Sequence, residues 1–217
     1  MKSIKILAAI ILTVLISGCS QTEPVQLINL GAAKKAVQSY YESGEYDREC
    51  SKIIDEAINY LDKENITEKS VVIFDVDETS LSNYQYTKKI GFGFIPKSWD
   101  EEQLKGDAPA IKSTKRFYDY LVSRNIRVVF LTGRDEDALE STRRNLIEQG
   151  YAKFDTLIVR SENEKKLSAE KFKPVKRKDL IDKGYEIIAS LGDQESDFAG
   201  ENTGYKIKLP NYLYLID

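Results

Sequence analysis

Two aspartates stand directly after a short run of apolar residues in the first half of the chain. The run Val71-Val72-Ile73-Phe74 is typical of a buried strand, and it leads into Asp75 and Asp77. Alternate side chains of an extended segment share a face, so the two carboxylates can converge on one point. Buried carboxylates are costly unless a cation, a proton or a substrate compensates them. Because open α/β sheets bind their ligands at this edge, we predict a catalytic site here.

Further polar side chains stand at the ends of later predicted elements. The second predicted strand ends at Thr132, the fourth ends at Asp193, and Lys173 precedes a proline that suits the first turn of a helix. Taken singly, Asp193 and Asp197 could be acids that stabilise a helix start, and Lys173 could belong to a solvated basic face. Together, carboxylates facing a hydroxyl and an ammonium favour a site for Mg²⁺ and phosphate.

Strand-like and helix-like segments alternate along most of the chain. Apolar spacing predicts an amino-terminal helical lead of two helices over 29–41 and 45–61. Five strands are predicted with helices between them, at 71–75, 127–131, 156–159, 186–191 and 205–209. This order predicts an α/β fold in which a doubly wound parallel sheet carries helices on both faces.

The segment of about 81–110 is aromatic, rich in glycine and poorly periodic. Long irregular segments directly after a catalytic strand are commonly lids, so we predict a small cap inserted after strand one. Packing within the lid is the favoured role of its aromatic side chains, although some could also contact substrate.

Composition excludes several classes of chemistry. The chain has no histidine, which excludes Ser-His-Asp hydrolases, histidine-nucleophile phosphatases and histidine-ligated zinc. A formal net charge of −3 without a basic stripe argues against nucleic acid as a partner. Cys50 shares helical spacing with apolar residues, so we interpret it as a small buried hydrophobe rather than a reactive thiol.

The amino terminus has the pattern of an export signal. Residues 1–18 combine Lys2 and Lys5 with a short apolar run and small residues, which predicts a secretory signal peptide. The segment Leu15-Ile16-Ser17-Gly18-Cys19 resembles a bacterial lipobox, although an ordinary signal peptide or an uncleaved anchor would share these features. We predict that Cys19 is lipidated and that 19–28 is a tether, so that the protein is secreted and lipid-anchored at the bacterial cell surface or periplasmic side.

The polar motifs together resemble a known superfamily. Asp75-Val76-Asp77-Glu78-Thr79, Thr132, Lys173 and Gly192-Asp193-x-x-x-Asp197 are similar to the four motifs of the haloacid dehalogenase (HAD) superfamily. The surrounding residues resemble its class B and class C acid phosphatase branch, which includes bacterial lipoprotein acid phosphatases and plant vegetative storage proteins. The resemblance implies that 29–217 forms one HAD-like phosphatase domain, with its cap at about 81–110.

The resemblance also implies a role for each motif. Asp75 would be the nucleophile that forms an aspartyl-phosphate, and Asp77 would be the general acid and base. Mg²⁺ would be held by the Asp75 side chain, the Asp77 carbonyl and Asp193, with Asp197 as a further ligand or close behind. The residues expected to bind the phosphoryl group are Thr132, Gly133 and Lys173. Tyr84 and Trp99 are candidates for the leaving-group side of the pocket.

The function implied by this resemblance is that of an Mg²⁺-dependent acid phosphatase. Its substrates would be small phosphate monoesters such as nucleotides, and its other contact would be the membrane surface through the lipid on Cys19. Two alternatives stay open, namely a non-enzymatic surface lipoprotein that uses the fold for binding or storage, and a phosphotransferase that passes the phosphoryl group to an alcohol.

Overall fold

The computed structural model describes residues 27–216. The predicted signal peptide, Cys19 and most of the predicted tether lie outside the described residues, so the division into leader, tether and domain stays a prediction. Within 27–216, none of the helices combines the length and the apolar character needed to cross a membrane.

Seven helices and five strands make up the described part of the chain. The helices are α1 (Leu30–Glu42), α2 (Glu45–Leu61), α3 (Tyr84–Lys89), α4 (Pro96–Lys105), α5 (Lys112–Ser123), α6 (Leu139–Glu148) and α7 (Ala169–Asp182). The strands are β1 (Ser70–Phe74), β2 (Arg127–Asp135), β3 (Thr156–Arg160), β4 (Glu186–Gly192) and β5 (Tyr205–Lys208). Both helices of the predicted amino-terminal lead and all five predicted strands are confirmed within a few residues.

The sheet is parallel, and its central strand carries the first pair of aspartates. The strand order is β3-β2-β1-β4-β5, and each neighbouring pair runs parallel. The chain moves outward from β1 through β2 to β3 and then returns to the other side of β1 as β4. A crevice therefore opens between the carboxyl ends of β1 and β4, which is where doubly wound sheets bind ligands.

Both faces of the sheet are covered, as predicted. Val72 and Phe74 of β1 pack into the core cluster that contains α2 and α5, whereas Val71 and Ile73 pack with residues of α7 on the other face. This alternation follows from the two-residue repeat of a strand. Cys50 of α2 is fully buried in the first cluster, and burial raises the pKa of its thiol to about 12, which confirms its interpretation as a small hydrophobe.

Helix α7 begins earlier than the sequence indicated. Pro174 lies inside the helix and not in its first turn, so the prediction that Lys173 stands at a helix start is wrong. A proline in a helix interior removes one backbone donor and costs about 3 kcal/mol or more. Burial of Phe172 against the sheet offsets this cost and extends the helix by a turn. Lys173 therefore acts through its ammonium group alone, without help from helix amides.

The inserted segment after β1 contains two short helices, α3 and α4, which its weak periodicity did not indicate. Its far end is fastened to α6, because Asn145 exchanges hydrogen bonds of 3.1 and 2.9 Å with the backbone of Ala108. Gly106 ends α4 with φ of +62°, and a Cβ there would lie 2.7 Å from the carbonyl oxygen of Ser141. Only glycine allows this close approach, so the chain itself fixes the position of α4 beside the sheet edge.

Candidate active site

One cavity of about 500 Å³ lies at the carboxyl ends of the central strands. Nearly all of the site residues predicted from the sequence line it, namely Asp75, Asp77, Trp99, Thr132, Gly133, Lys173, Asp193 and Asp197. Tyr84 does not line it, and Cys19 lies outside the described residues. Strand ends and α7 thus bring together groups that are up to 122 positions apart in the sequence.

Asp75 is the most constrained carboxylate of the cavity. Its backbone N–H donates to Leu191 at 2.9 Å, and its carbonyl accepts from the Ser80 hydroxyl at 2.6 Å. Lys173 donates to Asp75 Oδ1 at 2.5 Å and also to Asp197. No hydrogen-bond donor within 27–216 contacts the other oxygen, Oδ2. Burial raises the pKa of Asp75 and the ammonium of Lys173 opposes that rise. One oxygen is therefore held by a cation while the other is left to react.

Lys173 remains charged although it is 4 % exposed. Burial lowers its pKa, but the carboxylates of Asp197 and Asp75 outweigh that effect and raise the pKa above the usual lysine value. The side chain is therefore a fixed positive charge beside the candidate nucleophile.

Asp77 is held by an arginine to which the sequence analysis assigned no role. Arg134 donates from Nε to Asp77 Oδ2 at 3.0 Å and from Nη2 to Oδ1 at 2.6 Å, a two-pronged ion pair. Asn83 adds a third donor at 2.8 Å, and Thr142 accepts from Nη1 of Arg134 at 2.9 Å. Arg134 lies two residues after Thr132 in β2, so the alternation of side chains along a strand was a signal for it.

Three buried carboxylates form a cluster that we call the acidic triad: Asp75, Asp193 and Asp197. One oxygen from each lies within 4.8 Å of the others. Burial and the charge of Asp197 raise the pKa of Asp193 to about 6. Clustered carboxylate oxygens are the ligands that hard divalent cations such as Mg²⁺ select. The side chain of Asp77 is not in the triad, which leaves its backbone carbonyl as the group predicted to meet a metal.

Donors from several parts of the chain orient the triad. Asp193 accepts from Thr79 at 2.9 Å, from Gln194 at 2.6 Å and from Asn211 at 2.7 Å. Asp197 accepts from the Gln194 backbone N–H at 2.8 Å as well as from Lys173. Hydrogen bonds of this kind fix the direction of ligand oxygens before a metal binds.

The predicted phosphate-binding pair closes the β2 side of the cavity. Thr132 is buried, and its hydroxyl oxygen accepts the backbone N–H of Arg134 at 3.2 Å. The carbonyl of Gly133 accepts from Arg160 Nη1 at 2.8 Å. A Cβ at position 133 would lie 3.4 Å from Nη2 of the same arginine, so glycine lets the guanidinium lie close to the backbone.

One of the two predicted pocket aromatics is misplaced. Trp99 lines the cavity, but Tyr84 does not: its hydroxyl donates to Glu42 at 2.8 Å and its ring stacks on Tyr41 at 4.8 Å. Tyr84 therefore joins α3 to α1. Tyr86 lines the cavity in its place, with its ring 5.7 Å from that of Trp99. Residues two apart on a helix point about 200° apart, so a helix at α3 sends these tyrosines to opposite sides.

The last residues of the described chain form another wall that the sequence did not reveal. Tyr214, Leu215 and Ile216 line the cavity. The segment is attached through Asn211, which donates to the triad, and through the backbone N–H of Ile216, which donates to Gln194 at 3.1 Å. No motif or periodicity in this segment indicated such a role, because the contacts that define it come from β4 and its following loop.

Comparison with known proteins gives matches over most of the chain. The model of HAD superfamily, subfamily IIIB (acid phosphatase) matches residues 16–217. The chain is 35 % identical over 183 residues to a stem 31 kDa glycoprotein of Glycine max, covering 82 % of this chain and 72 % of that protein. It is 32 % identical over 186 residues to acid phosphatase 1 of Solanum lycopersicum, covering 83 % of this chain and 73 % of that protein.

A solved structure shares the fold. The class C acid phosphatase from Bacillus anthracis, determined with tungstate bound, superposes with a TM-score of 0.70 and covers 86 % of each chain. The sequence identity is 23 %, so this likeness bears on the fold alone. The architecture derived above, a parallel sheet wound on both sides, is therefore that of a solved acid phosphatase.

Proposed function

This chain belongs to subfamily IIIB of the HAD superfamily, the acid phosphatases, and we propose that it hydrolyses small phosphate monoesters, nucleotides included, with Mg²⁺ and through an aspartyl-phosphate. The resemblance named from the motifs is thus confirmed, and the family makes the protein a phosphomonoesterase. The observation that carries the proposal is the environment of Asp75, a buried carboxylate with one oxygen on Lys173 and two further carboxylates beside it.

In the proposed first step, Oδ2 of Asp75 attacks phosphorus and the bond to the ester oxygen breaks. The leaving alcohol takes a proton from Asp77, and the phosphoryl group stays on Asp75 as a mixed anhydride. In the second step water attacks phosphorus, Asp77 accepts its proton, and inorganic phosphate leaves with the Asp75 carboxylate restored. Arg134 and Asn83 hold the Asp77 side chain in one position at the cavity throughout.

The phosphoryl oxygens would be held by groups from two elements. Thr132 offers its hydroxyl, Gly133 its backbone N–H, and Lys173 a fixed positive charge. Charge redistributes over these oxygens during an in-line transfer, and donors already in place stabilise it without reorganising. Because Lys173 also contacts the nucleophile, it binds both reacting groups at once.

The acidic triad fits a divalent cation. Asp75 and Asp193 would hold Mg²⁺ with the carbonyl of Asp77, and Asp197 would hold Lys173 and close the site behind them. The cation would neutralise charge between the carboxylates and the incoming phosphate. Three buried carboxylates with one intervening lysine have an unbalanced charge, and this is the feature of the site that favours a metal.

The test is a panel of monoesters with Mg²⁺ and after chelation. We expect the purified protein to release phosphate from 4-nitrophenyl phosphate and from nucleoside 5′-monophosphates, and EDTA to stop it until Mg²⁺ is restored. Asp75→Asn should lose turnover by several orders of magnitude while its far-UV circular dichroism stays the same. Asp119→Asn removes an exposed carboxylate of α5 and is the matched control. Turnover that survives in Asp75→Asn would refute the assigned nucleophile.

We also propose that the protein is exported and anchored through Cys19. The support is the pattern of residues 1–19, since the comparisons do not bear on it. Growth of an expressing bacterium with radiolabelled palmitate should label the wild-type protein and leave Cys19→Ser unlabelled. An unlabelled wild-type protein would refute the anchor and leave the phosphatase proposal intact.

A further inference from the structure

Arg160 is a basic residue of the cavity that the proposed mechanism does not use. It ends β3, the strand outside β2, and it lines the cavity together with Thr132 and Gly133. Its guanidinium donates to the Gly133 carbonyl at 2.8 Å and lies 5.7 Å from the ring centre of Phe172. The side chain is therefore held in place beneath the cavity and is not a mobile surface arginine.

Within the part of the chain that the structure describes, the charge of Arg160 has no direct partner. The two other basic residues of the cavity, Arg134 and Lys173, each contact carboxylates at 2.6 Å or less. Within 27–216, no carboxylate oxygen lies within 4.0 Å of the Arg160 nitrogens, and its buried Nε has no hydrogen-bond partner. A guanidinium offers five N–H donors, and Gly133 takes one of them. Arg160 thus retains charge and donors that it can offer to a ligand.

Asp135 lies close to Arg160 but does not form an ion pair with its guanidinium. Asp135 pairs with Arg160 along the strands and also lines the cavity, but its buried Oδ1 has no hydrogen-bond partner within the described chain. Burial raises the pKa of Asp135, and the charges of Arg160 and Lys165 oppose that rise. The two side chains influence each other through space without forming an ion pair.

Arg160 starts from a strand that is not a neighbour of β1. β3 is two strands away from β1, with their axes roughly 10 Å apart at ordinary strand spacing, and the guanidinium reaches back as far as Gly133 in β2. The phosphoryl group on Asp75 is already served by Thr132, Gly133 and Lys173. An anion that Arg160 binds in addition to the phosphoryl group would therefore belong to a different part of the substrate.

We propose that Arg160 binds a second anionic group, a carboxylate or a second phosphate, carried by the leaving-group part of the substrate. The inference rests on the proposed function and adds to it a preference for phosphate monoesters whose alcohol part carries a second anionic group. A planar guanidinium suits such groups because it can donate two parallel hydrogen bonds to one of them. A structural role confined to supporting Gly133 is the competing explanation.

The test measures binding of ligands that are not hydrolysed. Phenylphosphonate is compared with its 3-carboxy and 4-carboxy derivatives by isothermal titration calorimetry with Mg²⁺, on the full chain. We expect at least one carboxylated ligand to bind about tenfold or more tightly than phenylphosphonate, the preference that a charge-assisted hydrogen bond supplies. The same measurement with a phenyl ring that carries two phosphonates then shows whether Arg160 prefers a carboxylate or a second phosphate-like group.

Variants separate the two roles of Arg160. Arg160→Gln keeps an N–H donor for Gly133 but loses the charge, so it should abolish the preference for the carboxylated ligand. Arg160→Lys keeps the charge and should keep part of that preference. Arg143→Gln is the matched control, because Arg143 is exposed on α6 and lies over Phe154, away from the cavity. The control should keep the wild-type preference.

Three results would overturn the proposal. In the first, the wild type binds carboxylated ligands no more tightly than phenylphosphonate; in the second, the preference for them persists in Arg160→Gln; in the third, that variant loses affinity equally for all ligands. The equal loss would assign Arg160 to support of Gly133 only. Phosphate release from the matching phenyl esters is measured in parallel. Selective binding without any phosphate release would refute the proposed function and leave the assignment of Arg160 standing.

Discussion

Replacing Glu78 by glutamine should remove a pH dependence of stability that this buried acid produces. Glu78 is fully buried next to Asp77, in the left-handed region with φ of +52°. Its Oε1 accepts the backbone N–H of Asn83 at 2.8 Å, while Oε2 is buried without a hydrogen-bond partner within the described chain. Burial raises the pKa from 4.5 to about 8, against the hydrogen bond from Asn83. The folded protein therefore keeps a proton on Glu78 at neutral pH.

The sign and size of the effect follow from proton linkage. Between pH 4.5 and about 8 the folded state binds more protons at this residue than the unfolded state, so stability falls as the pH rises. Within that window each pH unit costs about 1.4 kcal/mol, which gives a loss of about 2.5 kcal/mol between pH 5 and pH 7. Below pH 4.5 both states are protonated, and the cost disappears.

The measurement is urea unfolding at half-unit steps from pH 5 to pH 8, with EDTA present so that no divalent cation near Glu78 lowers its pKa. Glu78→Gln keeps the shape and the acceptor for Asn83 but has no proton to lose. Glu56→Gln removes a carboxylate from the exposed face of α2 and serves as the control for net charge. Between pH 5 and pH 7, we expect the free energy of unfolding to fall by about 2.5 kcal/mol less in Glu78→Gln than in the control.

Parallel pH curves for the two variants would refute this reasoning. They would mean that Glu78 is ionised in the folded protein, and hence that a cation or a donor outside the described contacts reaches Oε2. A steeper fall in Glu78→Gln would contradict the sign of the linkage itself.

Three further outcomes are expected. Arg177→Met removes a buried guanidinium that donates to three backbone carbonyls of 197–201, and should lower the free energy of unfolding in urea by at least about 3 kcal/mol. Asn211→Ala removes a donor to the acidic triad and should raise the Mg²⁺ concentration for half-maximal activity about 10- to 100-fold, with melting temperature as the control. In folded Cys19→Ser protein, Cys50 should resist Ellman's reagent at pH 8, because burial raises the pKa of its thiol to about 12. The thiol should react once guanidinium unfolds the protein. Rapid reaction of the folded protein would contradict the burial of Cys50.

The sequence predicted the groups that end strands better than those that depend on packing between elements. Asp75, Thr132 and Asp193 follow apolar runs, and a parallel sheet brings the carboxyl ends of its strands together without further information. Lys173 lines the cavity, but the sequence placed it at the wrong point of α7. The local rule for Pro174 predicted a helix start, whereas the burial of Phe172 on the sheet extended the helix beyond it.

The residues missed by sequence reasoning depend on long-range contacts. Arg134 could have been found, because it shares a strand face with Thr132, but its partner Asp77 is 57 positions away. Tyr86 rather than Tyr84 lines the cavity because α3 is helical, and the weak periodicity of that segment did not indicate a helix. The wall formed by 211–216 has no local signal, since the donors and acceptors that hold it belong to the loop after β4.

The charges that line the cavity explain why a phosphate ester would need a bound cation to enter it. Among residues 27–216, six aspartates and three basic residues line the cavity: Asp75, Asp77, Asp100, Asp135, Asp193 and Asp197, with Arg134, Arg160 and Lys173. With all of them ionised, six negative and three positive charges leave an excess of three negative charges, which would repel a dianion at short range in a partly buried site. The raised pKa of Asp193, due to burial and to Asp197, is a local sign of this crowding. A divalent cation at the acidic triad would remove most of the excess at the point where the phosphoryl group must approach Asp75. Arg160 lies at the end of β3, two strands away from β1, and has no carboxylate partner within 27–216, so it would then be the most favourable position for an anion on the leaving-group side.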